Sequence, residues 1–288
     1  MWLVTYKGRD KEQLPGVLLP QNKILNIVKT GKKCGVYTGI TSVRELLELE
    51  DDLEWLRHLL TKDELWVTEK KEECQLFAPV MNPEKILGVA LNYKDFCARG
   101  GLELPKTLKV FGKYPTAVNS TGGSFCPCGR RTTYEGELGV VIGKTCRNIK
   151  AREAEEYIAG YTVVNDISAN DRIKEDVQLF RGKNMDGALP MGPVLVSKDE
   201  IKEPMKLSVA TWVDGVKVQD SSTDQMIFDI YQQIEYFSEF MTLKPGDVIA
   251  TGTPAGTALQ HDPPRFLKTG QRVVVEIEAI GKLETQII

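Results

Sequence analysis

The run Tyr134-Glu135-Gly136-Glu137-Leu138-Gly139-Val140-Val141-Ile142 constrains this chain more than any other stretch. Its apolar, β-branched end reads as a strand. Residues i and i+2 of a strand share a face, so Glu135 and Glu137 project together. Two like charges held close need a cation between them, or one must take up a proton. A second strand-like run, Gly160-Tyr161-Thr162-Val163-Val164, leads to a third carboxylate, Asp166. Three carboxylates suit a hard divalent ion such as Mg²⁺ or Mn²⁺, with Ca²⁺ also compatible; water or substrate oxygens would fill the other positions. A plainer reading of Glu135 and Glu137 is an edge strand with a solvated face. Glu276 and Glu278, in Val274-Val275-Glu276-Ile277-Glu278, have the same spacing and are read as that solvated case. The residues alone leave both readings open for the first pair.

Context separates the two pairs. Gly88-Val89-Ala90-Leu91-Asn92-Tyr93, Val110-Phe111-Gly112-Lys113 and Tyr134-Glu135-Gly136-Glu137-Leu138 come first. Gly160-Tyr161-Thr162 with Asn165-Asp166, Arg181-Gly182-Lys183, and Gly246-Asp247-Val248 through Thr251-Gly252-Thr253-Pro254-Ala255-Gly256 follow. In that order they resemble the fumarylacetoacetate hydrolase family, from roughly Ile86 to the C-terminus. The nearest branch is the isomerase/decarboxylase enzymes that handle 2-hydroxyhepta-2,4-dienedioate in aromatic degradation. The resemblance implies an α+β, β-rich fold: a mixed β-roll catalytic domain, usually in a homodimer, here preceded by a small N-terminal domain. It implies that Glu135, Glu137 and Asp166 hold the metal and that Lys183 is the active-site lysine. Thr253 would help hold a substrate carboxylate. Asn92, Lys113 and Arg181 would be further substrate-binding residues, Arg181 through its guanidinium fork.

The departures from the pattern bear on the reaction. Many hydrolases of the family carry a His and a Glu, three residues apart, shortly after the Asn-Tyr pair, and that dyad activates water. Phe96 and Arg99 stand at those positions. The family's Ser-Ala-Arg-Asp reads Ser168-Ala169-Asn170-Asp171. Loss of the dyad favours keto–enol isomerisation or decarboxylation of a small 2-oxo or 2-hydroxy-dienoic acid through a metal-stabilised enolate. The alternatives are an acylpyruvate- or fumarylacetoacetate-type C–C hydrolase, a lyase for a sugar-derived 2-keto-3-deoxy acid, and an inactive homologue that binds metal and carboxylate. The chain has two histidines. His58 falls in a helical pattern; His261 follows the Thr-Gly-Thr-Pro turn and is the candidate replacement for the dyad histidine.

At 288 residues the chain can form one large domain or two unequal ones. Residues 1–78 read as a small accessory domain and 79–288 as the catalytic domain, with Ala78-Pro79-Val80-Met81-Asn82-Pro83 as linker. A net charge of −3 gives no reason to expect nucleic acid or an anionic membrane as partner. No apolar run reaches spanning length, and the start lacks the layout of a secretory signal. Six scattered cysteines without zinc-site spacing read as free thiols in the cytoplasm.

Among local elements, Ser42-Val43-Arg44-Glu45 opens a predicted helix over 43–60. Residues 92–105 read as an irregular segment, and the resemblance implies that 93–106 forms a lid over the site. Asn119–Gly129 reads as a turn-rich loop. Ala151–Ala159 reads as a helix closed by Gly160. Ser222-Thr223-Asp224-Gln225 reads as the cap of a helix with Ile227, Ile230, Tyr231, Ile234 and Phe237 on one stripe. Asp214-Gly215 marks a hairpin. Gly139 to Thr145 lacks the spacing of a phosphate loop.

Overall fold

The computed structural model describes residues 1–9, 11–36 and 39–288. Two β-sheets face each other across an apolar core. The larger sheet has twelve strands, ten of them in one path. From one edge the path runs Thr68–Lys70, Lys23–Asn26, Gln13–Leu19, Trp2–Lys7, Leu189–Ser197, Ile158–Asn165, Gly136–Ile142, Val248–Ala250, Ile86–Ala90 and Lys109–Lys113. The smaller sheet has five: Val216–Ser222, Ser208–Val213, Arg272–Ile277, Gly281–Ile287 and Gly123–Phe125. The fold is thus mixed α+β and β-rich, as expected.

The strand Gly136–Ile142 lies inside the large sheet. It pairs antiparallel with Ile158–Asn165 on one side and with Val248–Ala250 on the other. Its even-numbered residues Leu138, Val140 and Ile142 enter the core shared with Val209, Val275 and Ile277 of the second sheet. Val141 packs on the opposite face, with Val164 and the N-terminal helices. The period-2 alternation therefore carries Glu135 and Glu137 to the face away from the second sheet. The register Gly136↔Asn165 and Glu137↔Val164 puts Asp166 opposite Glu135 on that same face, and Asp166 N–H donates to Glu135 O at 2.9 Å.

The N-terminal segment extends this sheet: Trp2 and Leu3 pair with Val196 and Leu195. The stretch from Ala78 to Lys85 carries no strand or helix.

Five local expectations are corrected. The helix over 43–60 is two helices, Val43–Leu47 and Glu54–Leu60. Glu50, Asp52 and Leu53 take positive φ between them, and Asp51 accepts from Leu53 N and Trp55 N, so its carboxylate starts a new helix. Within 92–105 a helix forms at Lys94–Gly100. Asp95 pins it, accepting from Ser221 Oγ at 2.6 Å. Asn119–Gly129 contributes to the strands Val118–Ser120 and Gly123–Phe125, one parallel to each sheet's existing strands. Ala151–Tyr157 is 3-10 helix, and Gly160 lies inside a strand, where a Cβ would come within 2.0 Å of Val196 O. Ser222 caps only the 3-10 turn Thr223–Gln225. The α-helix begins at Ile230, behind a capping box of Asp229 and Gln232, and buries Ile230, Ile234 and Phe237. The Asp214-Gly215 hairpin forms as read, and its first strand also pairs with a later hairpin, Arg272–Ile277 with Gly281–Ile287.

Candidate metal centre

Glu135, Glu137 and Asp166 converge, one carboxylate oxygen from each lying within 4.8 Å of the others. Asp166 is fully buried and Glu137 nearly so. Each carboxylate is held separately. Glu135 accepts from Ser168 Oγ at 2.9 Å through one oxygen and from Lys183 Nζ at 2.7 Å through the other. Asp166 accepts from Lys183 Nζ at 2.7 Å and from Lys113 Nζ at 2.6 Å. Glu137 has no lysine; it accepts from Gly252 N at 2.9 Å.

These contacts order the proton affinities. Burial alone would raise Asp166, but Lys113 and Lys183 together outweigh it and hold the carboxyl below its ordinary value. Burial raises Glu135, with Lys183 offsetting part of the effect. Burial pushes Glu137 well above the carboxylate range, and the charges of Asp166 and Glu135 push it further. Burial pulls Lys183 down, yet Asp166, Glu135 and Glu137 reverse the sign and keep it charged. Lys113 is pulled down by burial despite Asp166.

This donor set fits a hard divalent cation. All three donors are carboxylate oxygens, and Glu137 is the one that no lysine contacts directly. With both lysines protonated the cluster carries one net negative charge, and a divalent ion would turn that into one positive charge.

The backbone around the centre is braced by the turn after Val248–Ala250. Thr251 Oγ1 donates to Leu138 O at 2.8 Å, Gly252 N to Glu137, and Thr253 Oγ1 to Gly136 O at 3.0 Å. Asn165 Oδ1 accepts from Glu135 N at 3.1 Å.

The remaining predicted residues fall in different places. Lys113 belongs to the centre, where it holds Asp166 and also donates to Ala188 O at 3.2 Å. These bonds use two of its three N–H donors. Thr253 lies at the brace, where its hydroxyl donates to Gly136 O and accepts from Gln219 Nε2. Asn92 is buried, with both N–H groups on Phe228 O and Thr251 O and its oxygen accepting from Phe228 N, so its amide is spent on the backbone. Arg181 is half-exposed and paired with Asp176 and Glu175 instead of facing the triad. His261 Nε2 sits 3.2 Å from Tyr134 Oη and 2.9 Å from Gly256 O. Tyr134 shares the face of Gly136, so this histidine lies across the strand from the carboxylates. Phe96 packs against the core, and Arg99 donates to Gln260 O.

Sequence reasoning missed Ser168 and the Gly252 N–H as partners of the carboxylates, and Asn165 as the partner of the Glu135 backbone N–H. A signal existed for Ser168 and Asn165: each flanks Asp166 within two residues. Nothing in the sequence pointed to Gly252.

Comparisons with known proteins place the chain in a family. Residues 85–288 match the fumarylacetoacetate (FAA) hydrolase C-terminal family model. The chain is 43% identical over 221 residues to oxaloacetate tautomerase YisK of Bacillus subtilis, covering 75% of this chain and 73% of that protein. Among solved structures it resembles 5-carboxymethyl-2-hydroxymuconate delta-isomerase from Mycobacterium smegmatis, with a TM-score of 0.78, 27% identity and coverage of 100% and 98% of the two chains. It also resembles maleylpyruvate hydrolase from Sphingobium sp. SYK-6 in complex with manganese(II) and pyruvate, with a TM-score of 0.80, 25% identity and coverage of 100% and 99%. The chain is an enzyme of the fumarylacetoacetate hydrolase family.

Proposed function

We propose that this chain is a divalent-metal-dependent keto–enol tautomerase of small 2-oxo dicarboxylic acids, with Mg²⁺ or Mn²⁺ on Glu135, Glu137 and Asp166. The observation that carries the reading is the combination at the centre. Lys183 bridges Glu135 and Asp166, two of three converging carboxylates, while the positions of the water-activating dyad hold Phe96 and Arg99. Tautomerisation moves one proton between a carbon and the keto oxygen and consumes no water, so it needs no such dyad. The relative from Bacillus subtilis, named an oxaloacetate tautomerase, makes oxaloacetate the first substrate to test.

A bound divalent ion would accept the carboxylate and keto oxygens of a 2-oxo acid and withdraw electron density from the keto group. The chain's own groups bind and stabilise what the reaction forms at the keto oxygen. Lys183 has three N–H donors and spends two on Glu135 and Asp166, leaving one for the substrate's keto oxygen as it gains negative charge. Lys113, buried behind Asp166, keeps that carboxylate ionised and fixed. The net positive charge of the loaded site attracts an anionic substrate.

The test is oxaloacetate turnover, with enol-to-keto conversion and CO₂ release followed separately, in Mn²⁺ and in EDTA. The expected result is rapid conversion that EDTA abolishes, with little CO₂. Efficient cleavage of acylpyruvates with no tautomerase or decarboxylase activity would overturn the reading in favour of a C–C hydrolase.

A further inference from the structure

We propose that Gln219 is a positioning residue of the metal centre: its buried amide ties the strand carrying Glu135 and Glu137 to the turn that supports Glu137. This rests on the metal-site reading above and adds to it a residue on the opposite sheet.

Gln219 lies on Val216–Ser222 of the smaller sheet and is 1% exposed. All four of its amide's main hydrogen-bonding positions are used. Its oxygen accepts from Gly136 N at 3.0 Å and from Thr211 Oγ1 at 2.8 Å. Its nitrogen donates to Thr253 Oγ1 at 2.8 Å and to Pro254 O at 2.9 Å. Gly136 is the residue between the two glutamates. Thr253 follows Gly252, whose N–H holds Glu137. One amide therefore fixes the spacing between the two arms on which Glu137 depends.

Two further features show that the fold is shaped around this contact. The register between Ser208–Val213 and Val216–Ser222 slips between Thr211↔Gln219 and Trp212↔Lys217, leaving Val218 as an extra residue. Such a bulge redirects the neighbouring side chain. Gly136 also has to be glycine here, since a Cβ would lie 2.4 Å from Thr211 Oγ1 and 3.2 Å from the Gln219 oxygen. A hydrophobic side chain at 219 would fill the space but leave Gly136 N and Pro254 O buried without these partners.

Residues that orient metal ligands from behind typically change metal affinity tenfold to a hundredfold when removed. The experiment measures Mn²⁺ affinity by calorimetry, with Tm in EDTA, for the wild type, Gln219→Met, Gln219→Glu and Thr285→Val. Thr285 Oγ1 is buried in the same sheet with no partner, so Thr285→Val controls for substitution there. Gln219→Met removes all four bonds and should weaken Mn²⁺ binding at least tenfold. Gln219→Glu keeps an acceptor for Gly136 N while losing amide donation to Thr253 and Pro254, and should fall between Gln219→Met and wild type. Thr285→Val should bind as wild type does. A folded Gln219→Met that binds Mn²⁺ within twofold of wild type overturns the proposal, even if its Tm has dropped. So does wild-type affinity in Gln219→Glu, which settles the matter if the methionine variant does not fold. A wild type that binds no Mn²⁺ removes the metal reading itself, a different outcome from either of these.

Discussion

Glu135 and Glu137 stand two residues apart at a strand, as do Glu276 and Glu278, and the fold treats the two pairs in opposite ways. The first pair belongs to a strand flanked on both sides and covered on both faces. Glu137 is buried, and Asp166 and Lys183 meet the pair from other segments. The second pair lies on the outer face of the smaller sheet. Glu276 is directly across from Lys282 and pairs with it at 3.5 Å, while Glu278 is exposed. Spacing decides that two side chains share a face. Whether the face is wet is decided by strands far away in sequence. A local trace of the difference is the residue between them. Ile277 points into an ordinary core, whereas Gly136 leaves room for a side chain from the facing sheet.

The largest effect should come from cutting one carboxylate in each pair. Glu137→Ala removes a proposed metal ligand and should abolish both Mn²⁺ binding by calorimetry and oxaloacetate turnover. Glu276→Ala should leave both as they are, since it loses only a partly exposed ion pair. If Glu137→Ala kept its affinity and rate, the two pairs would be equivalent and the metal assignment would fail.

That contrast also marks how far the sequence could be read. Glu135, Glu137, Asp166 and Lys183 were legible because each sits in a short signature whose order along the chain matched a family. The β-rich class followed from the strand-like runs and the same match. What stayed hidden was what long-range packing decides. The helix over 43–60 had the right apolar period, but Asp51 offered its carboxylate to a new helix start. Gly160 had the look of a helix stop, and its real constraint is the close approach of Val196 O. Asn92 and Thr253 lie in the right signatures, yet their polar atoms brace the backbone of the site. A motif can locate a residue near the chemistry without saying whether its hydrogen bonds are still free to meet a ligand.

A smaller effect should separate the lysine partners of the two pairs. Lys183→Met leaves Glu135 without its cation and Asp166 with one of two. Removing one member of a buried ion pair costs about 3–5 kcal/mol. Loss of one donor to a developing oxyanion costs about 10²–10³ in rate. The variant should therefore show a lower Tm in EDTA and a rate reduced within that range at saturating Mn²⁺. Lys282→Met, which removes the partner of Glu276, should change stability by less than about 1 kcal/mol and leave the rate alone. Equal stability losses in the two variants would mean that Lys183 is a surface cation in effect, whatever its burial.

The gentlest way to tell the pairs apart is pH. In the metal-free protein Glu137 is raised well above its ordinary value of 4.5 by burial and by Asp166 and Glu135. Between the unfolded value and that raised one, the native state holds a proton that the unfolded chain has released. The stability this protonation provides is complete below about pH 4 and is lost as pH rises through the folded pKa of Glu137. Asp166 has the opposite sign: its folded pKa lies below the ordinary 3.8, so its contribution is present at neutral pH and disappears only in strong acid. The Tm of the metal-free enzyme should therefore decline as pH climbs above the ordinary carboxylate range. Mn²⁺ affinity should rise over the same interval, because binding displaces the Glu137 proton. Glu137→Gln, which cannot ionise, should flatten the decline, while Glu276→Gln should leave its slope untouched. If Glu276→Gln flattened it instead, the buried pair would not be the one that titrates, and the difference between the two strands would lie elsewhere than in their charge.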